Sequence, residues 1–161
     1  MRIFGIDPGT ARVGWGVIDG DKQNYQLHCY GCIETDKSKS DQIRLTEIYK
    51  SLTDLFASQK PDQVVIEQLF FARNVTTAST VGQARGVIML AAAHANLPIF
   101  EYTPLQVKQA VTGYGRAEKN QVQQMIQILL KLKELPHPDD AADALAIALT
   151  HGVTNLQLVP A

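Results

Sequence analysis

The apolar residues of the chain follow two periodicities, and each marks its own kind of element. Residues 2–7 (RIFGID) are a short apolar run stopped by Pro8-Gly9, the pattern of a buried strand. Residues 12–19 (RVGWGVID) and 25–35 (YQLHCYGCIET) also read as strands, with Gly20-Asp21 as the turn of a hairpin. From Ser40 or Asp41, either of which can cap a helix, Leu45, Ile48, Tyr49, Leu52, Leu55 and Phe56 recur at helical spacing to about Ser58. Residues 62–67 (DQVVIE) form another buried-type strand after Pro61, and a polar loop then leads to an alanine-rich helix over about 76–96. Residues 98–102 (PIFEY) make a further short buried strand. Pro104 opens a helix that stops near Gly113, and Val122, Met125, Ile126, Leu129 and Leu130 mark one over 119–132. Pro136 and Pro138 break the chain before a last helix over about 139–151. The order β-β-β-α-β-α-β-α-α-α predicts an α/β fold: a five-stranded mixed sheet flanked by helices, with three antiparallel strands leading and two arriving through helical crossovers.

The chain's 161 residues suffice for one domain, expected over 1–152 with a short tail at 153–161, and no repeat or linker interrupts it. No apolar run is long enough to span a bilayer. The opening MRIFGIDPGT lacks the features of a signal peptide, so a cytoplasmic protein without membrane contact is expected. Cys29 and Cys32 form a C-x-x-C, but within a strand they point to opposite faces and read as structural thiols. No second Cys or His pair stands at zinc spacing.

Charge is segregated. The formal net charge is −1, which excludes coating of nucleic acid by bulk charge. Residues 68–133, however, carry 7 basic and 2 acidic groups, while 134–161 carry 4 acids and no Lys or Arg. Between Glu67 and Glu101 there is no acid, and Arg73 and Arg85 lie there; Lys108, Arg116, Lys119, Lys131 and Lys133 follow with Glu118 alone against them. A one-sided basic surface suits contact with phosphates.

Against this basic middle stand carboxylates at element ends. Asp7 closes the first strand and Glu67 closes the fourth. If these strands are parallel neighbours, both acids project toward the crevice at their carboxyl ends, where ligands of such sheets gather. The last helix begins DDAADALAIAL, and Asp140 and Asp143, three apart, share a face. Acids in a first turn also suit the helix dipole, which accounts for Asp139 and Asp140 but poorly for Asp143. Crowded carboxylates call for a neutralising cation, and their oxygens suit Mg²⁺ or Mn²⁺. Two ions about 3.5–4 Å apart would form the clamp used for in-line displacement at phosphorus.

The blocks IDPGTARVGWG, VVIEQLFFARN (64–74), GQARG (82–86) and DDAADALAIALTH (139–151), in this order, resemble the bacterial Holliday-junction resolvases of the RuvC family over about residues 1–152. The resemblance implies a ribonuclease-H-like fold and a homodimer that cuts two opposing strands of a four-way DNA junction symmetrically, using Mg²⁺, two ions per subunit, with Mn²⁺ as a substitute. It implies cleavage to a 5′-phosphate and a 3′-hydroxyl, in recombination and repair. A branch-migration helicase complex of the RuvA–RuvB type is the implied partner. The family's four catalytic, metal-holding carboxylates fall on Asp7, Glu67, Asp140 and Asp143. Lys119 and Lys108 match positions for active-site support and DNA contact, and Phe70 matches the one that touches the junction centre. Phe71, Arg73, Asn74, Arg85 and Arg116 complete the expected DNA contacts, and Asp139 is expected to act as a helix cap.

Two rival readings fit parts of the pattern. A phosphotransferase of the sugar-kinase and actin type also opens with an Asp-x-Gly-Thr turn, but it needs a second lobe for which 161 residues leave no room. A non-catalytic junction-binding module would not need all four acids. For the dimer, the helix at 76–96 offers Gly82 and Gly86 on one face, extended by Ala78 and Ala93. That face either meets a second copy or packs on the protein's own sheet.

Overall fold

Side-chain alternation along the strands decides where each element of this fold packs. The computed structural model describes residues 1–21, 24–68 and 75–154, with side chains in the last stretch from 79 onward. Its five strands are β1 (Arg2–Asp7), β2 (Arg12–Asp21), β3 (Asn24–Glu34), β4 (Gln63–Glu67) and β5 (Ile99–Tyr102). They form one sheet in the order β3-β2-β1-β4-β5. β2 is antiparallel to β1 and β3, while β1, β4 and β5 run parallel, the mixed sheet expected from the element order.

Helices cover both faces. α1 (Asp41–Gln59) and α2 (Val75–His94) pack on the face that carries Phe4, Ile6, Val13, Val17, Val64 and Ile66. α3 (Pro104–Thr112), α4 (Lys119–Leu129) and α5 (Asp139–Val153) pack on the other, with Ile3, Val65, Phe100 and Tyr102. Each of these strands therefore sends alternate side chains to opposite layers.

Boundaries depart from the sequence expectation where backbone geometry intervenes. Gly20 and Asp21 are strand, paired with Tyr25 and Asn24, so the hairpin ladder runs further than a turn there would allow. α2 ends at His94 and α4 at Leu129, because Asn96 (φ 55°) and Lys131 (φ 53°) adopt left-handed conformations that stop a helix. α5 runs to Val153, one residue past the expected domain boundary. Residues 155–161, most of the expected tail, lie outside the described residues.

α5 is buried along nearly its whole length, from Ala141 to Gly152. The sheet admits it closely where glycines lie underneath. A Cβ on Gly5 would lie 2.2 Å from the Ala144 carbonyl oxygen; one on Gly14 would lie 1.9 Å from that of Asp140; one on Gly16 would lie 2.6 Å from Leu145 Cδ2. Gly5 and Gly16 are cross-strand partners, as are Asp7 and Gly14, so the glycines form a trough across β1 and β2. The far end of the helix is fixed by a buried relay. The Tyr102 hydroxyl lies 2.9 Å from His151 Nδ1, and His151 Nε2 lies 2.7 Å from Gln63 Oε1. Burial lowers the His151 pKa, and a neutral ring with its proton on Nε2 donates to Gln63 and accepts from Tyr102.

α2 behaves differently. It turns Ala84, Ile88, Ala91 and Ala92 inward, while Cβ atoms at Gly82 and Gly86 would meet nothing within 4 Å among the described residues. Packing of that glycine face on the protein's own sheet is thereby excluded.

The two kinds of glycine predict opposite outcomes. Gly5→Ala should destabilise the fold by about 1–3 kcal/mol or more, because the methyl meets helix backbone that cannot move alone. Gly86→Ala should be neutral or stabilising by up to ~1 kcal/mol, through helix propensity. Urea unfolding of the two variants checks this, and similar losses in both would refute the trough.

Candidate active site

Parallel register brings the first two acids together. Ile6 pairs with Ile66, so Asp7 and Glu67 follow side by side at the carboxyl edge of β1 and β4. They alternate with Ile6 and Ile66, which places both on the α5 side of the sheet. The α5 backbone at Asp140 sits over Gly14, the cross-strand partner of Asp7. The first turns of α5 are thus held directly above Asp7.

Asp7, Glu67 and Asp143 line one cleft of about 260 Å³, with Lys108 of α3, Lys119 of α4 and apolar walls that include Val107, Val122 and Ala146. The two lysines arrive from helix features that are legible locally. α3 is opened by a capping box from Thr103 to Gln106 with Pro104 at its start, and Gly113 (φ 75°) ends it. Lys119 is the first residue of α4, directly after the N-cap Glu118, whose backbone N–H donates to Gln121 Oε1 at 2.8 Å.

The fourth acid is separate in one respect. Asp140 lines a neighbouring groove of about 510 Å³ with Gly9, Thr10, Ala11, Arg12, Glu34, Thr35 and Lys37. Its Oδ2 lies 3.6 Å from Arg12 Nη1, and Arg12 Nε lies 3.6 Å from Glu34 Oε1. The expected shared face of Asp140 and Asp143 thus opens onto two adjacent clefts. Asp139 does not cap α5: Pro138 is the N-cap, without a side-chain cap bond, and Asp139 is the first helical residue. Its carboxylate lies 3.6 Å from Lys119 Nζ, which makes its closer contact, 2.8 Å, with Asp143.

Burial and like charge act together on these acids. Asp7 is pushed up to about 8, first by burial and then by Glu67, Asp143 and Asp140, with Lys119 opposing. Glu67 is raised by burial and by Asp143, while Lys108 pulls it down. Asp143 is raised by burial in spite of its bond to Lys119. Burial opposes the charge on Lys119, yet its ion pairs with Asp143 and Asp139 raise its pKa overall. An acid held neutral at pH 7 by burial and, after it, by three other acids is the signature of a site short of positive charge. Among the described residues, no three His, Cys, Asp or Glu side chains stand as a preformed metal cage. Asp140 and Asp143 are instead held by cations of the chain itself. The donors are all carboxylate oxygens, which fits Mg²⁺ or Mn²⁺ and not zinc.

Of the other expected residues, Arg116 is exposed in the segment between α3 and α4. Arg85 has a partner within the fold: its guanidinium bonds the Glu101 carboxylate of β5, and its Nε is buried without a hydrogen bond. Phe70, Phe71, Arg73 and Asn74 lie outside the described residues. Sequence reasoning missed Arg12, whose link to Asp140 is tertiary, and the pairing of Asp139 with Lys119. The four-residue spacing from Asp139 to Asp143 was the available signal for the latter.

Known proteins resemble the chain over nearly its whole length. The family profile described as "Crossover junction endodeoxyribonuclease RuvC" matches residues 3–151. The chain is 56% identical over 151 residues to the crossover junction endodeoxyribonuclease RuvC of Brevibacillus brevis, covering 94% of this chain and 91% of that protein. It is 51% identical to the Pseudothermotoga lettingae protein of the same name, covering 94% of this chain and 93% of that one. Among solved structures, Thermus thermophilus RuvC in complex with a Holliday junction substrate superposes with a TM-score of 0.91 at 37% identity, covering 95% of this chain and 93% of that one. The yeast mitochondrial Holliday junction resolvase Ydc2, 13% identical with a TM-score of 0.65 and covering 92% of this chain and 76% of that one, shares the fold.

The Asp7 shift has a pH consequence. Unfolded, this carboxyl titrates near 3.8; folded, near 8. Folding therefore takes up a proton between those values, and stability falls as pH rises through the window. Asp7→Asn should melt above the parent at pH 8 by at least ~2–4 °C, about 1 kcal/mol for a chain of this size. At pH 4 the margin should vanish. Equal margins at both pH values in thermal melts would contradict the assignment.

Proposed function

The chain belongs to the crossover junction endodeoxyribonuclease RuvC family, with a ribonuclease-H-like fold, and from that premise we propose that Asp7, Glu67, Asp140 and Asp143 are its catalytic carboxylates. The observation that carries this reading is the cleft itself, where Asp7 is driven up to about 8 beside three other acids. Such a group awaits a cation. Bound Mg²⁺, two ions per subunit with Mn²⁺ as a substitute, supplies the Lewis acidity that activates water and stabilises the leaving 3′ oxygen.

The chain's own residues prepare that chemistry. Ionisation of Asp7 releases a proton, so cation loading grows tighter as pH rises toward 8. Lys108 and Lys119 bring positive charge to the cleft that a scissile phosphate enters. The apolar wall of Val107, Val122 and Ala146 thins the water around it. Lys119 supports the carboxylates at the site, and Lys108, Arg116, Phe70, Phe71, Arg73 and Asn74 meet the DNA, with Phe70 as an apolar wedge at the junction centre.

The substrate is four-way junction DNA, the ligand named for the Thermus relative. Two symmetric cuts need two sites on a two-fold axis, and each chain offers one set of acids. The open face of α2 at Gly82 and Gly86, continued by exposed Leu90 and Ala93, supports a homodimer. Residues 1–152 act as the nuclease domain, in the cytoplasm, alongside a branch-migration helicase complex. No helix among the described residues is long and apolar enough to cross a membrane.

Asp7→Asn, Glu67→Gln, Asp140→Asn and Asp143→Asn should each lower cleavage of a labelled four-way junction in Mg²⁺ by at least ~100-fold, the scale of a lost electrostatic catalytic group. Binding, which rests on phosphate contacts made elsewhere, should persist in a gel-shift assay. Wild-type cleavage by any one variant removes that residue from the site.

Gly86→Leu places a branched side chain on the open face of α2, where the fold has room. A folded monomer that nicks one strand of the junction is expected, read by sedimentation and by the ratio of single to paired cuts. Unimpaired dimers would place the interface on another surface.

A further inference from the structure

Asp139 has no duty in the chemistry described above. It makes no helix cap, yet it is not a free surface acid. Four residues before Asp143, it lies about 40° from it around the α5 axis, closer than the ~60° between Asp140 and Asp143. The Lys119 ammonium stands 2.8 Å from Asp143 Oδ2 and 3.6 Å from Asp139 Oδ2. The Asp143 side chain lines the cleft and is 32% exposed, whereas that of Asp139 is 61% exposed. One ammonium thus has two carboxylate stations, an inner and an outer. Lysine suits such a place: its charge is compact, its stem is flexible, and its three donors rotate, so it can change partners without backbone movement.

We propose that Asp139 is a positioning residue that receives Lys119 when Asp143 turns to a divalent cation. This rests on the metal-site reading given above. An ammonium and a divalent cation repel each other at one carboxylate. The apparent affinity for the cation is then set by the fraction of molecules in which Lys119 has left the inner station. Asp139 raises that fraction by stabilising the outer one, and it keeps the lysine at the rim of the cleft.

Without Asp139, Lys119 keeps only the inner station and competes harder for it. The expected loss in cation affinity is roughly two- to five-fold, the range an exposed ion pair carries. A general field effect of one lost acid has the same sign, and a double-mutant cycle separates the two. In the Lys119→Met background the hand-off leaves Asp139 nothing to do. A field effect would persist there, and would grow because no ammonium screens it.

The experiment titrates the full chain, without DNA, with Mn²⁺ alone, following free Mn²⁺ by electron paramagnetic resonance. Asp139→Asn should weaken binding roughly two- to five-fold with Lys119 present. It should leave binding unchanged in the Lys119→Met background, and Asp139→Glu should restore it. Equal weakening in both backgrounds, or no weakening in either, overturns the hand-off. Asp143→Asn is the control for the underlying site: if it leaves Mn²⁺ affinity intact, the metal-site reading itself falls.

Discussion

The close seating of α5 on the trough formed by Gly5, Gly14 and Gly16 governs the rest of the molecule. A helix normally rides on a sheet with side chains between them, roughly 10 Å from axis to sheet. Here three glycines lie beneath it, and the helix backbone at Asp140 and Ala144 reaches the strands directly. The alanines of DDAADALAIAL answer the same need from above. This contact brings the acids of α5 over Asp7, whose cross-strand partner is Gly14. A larger residue in the trough would lift the helix, and the acids would separate before any of them was altered.

That proximity is electrostatically adverse. Burial and neighbouring carboxylates raise the pKa of Asp7, Glu67 and Asp143, and Asp7, the most enclosed, bears most of it. The chain compensates from three separate elements: Arg12 on β2 beside Asp140, Lys119 on α4 beside Asp143, and Lys108 on α3 near Glu67. None of these links is deeply buried, so each can give way to a stronger cation at modest cost. The arrangement tolerates repulsion at rest while leaving the acids available.

Much of this was legible in the sequence, and the divisions have physical reasons. The strands and helices were readable because their apolar periodicities are unbroken, as in IFGI and VVI. Asp7 and Glu67 were readable because each ends such a run. Asp140 and Asp143 were readable as a pair, but their division between two clefts was not, since it depends on Arg12 reaching across from β2. Asp139 was misread because an acid at a helix start resembles a cap, and only the backbone shows that Pro138 holds that position. Arg85 looked free in an acid-less stretch until β5 brought Glu101 beside it. Gly14 and Gly16 read as ordinary strand residues because a sequence does not show what lies above a glycine.

The relay of Tyr102, His151 and Gln63 fixes the far end of α5, as the trough fixes its near end. A rod pinned at both ends is a gauge of length. Between Asp140 and His151, side chains can be exchanged one for another, but one added or deleted residue would rotate one end by about 100° relative to the other. The acids would then face away from Asp7, or the histidine would lose its partners. Insertions and deletions in this helix are therefore far less tolerable than substitutions, and natural variation in length belongs outside the interval between its two pins.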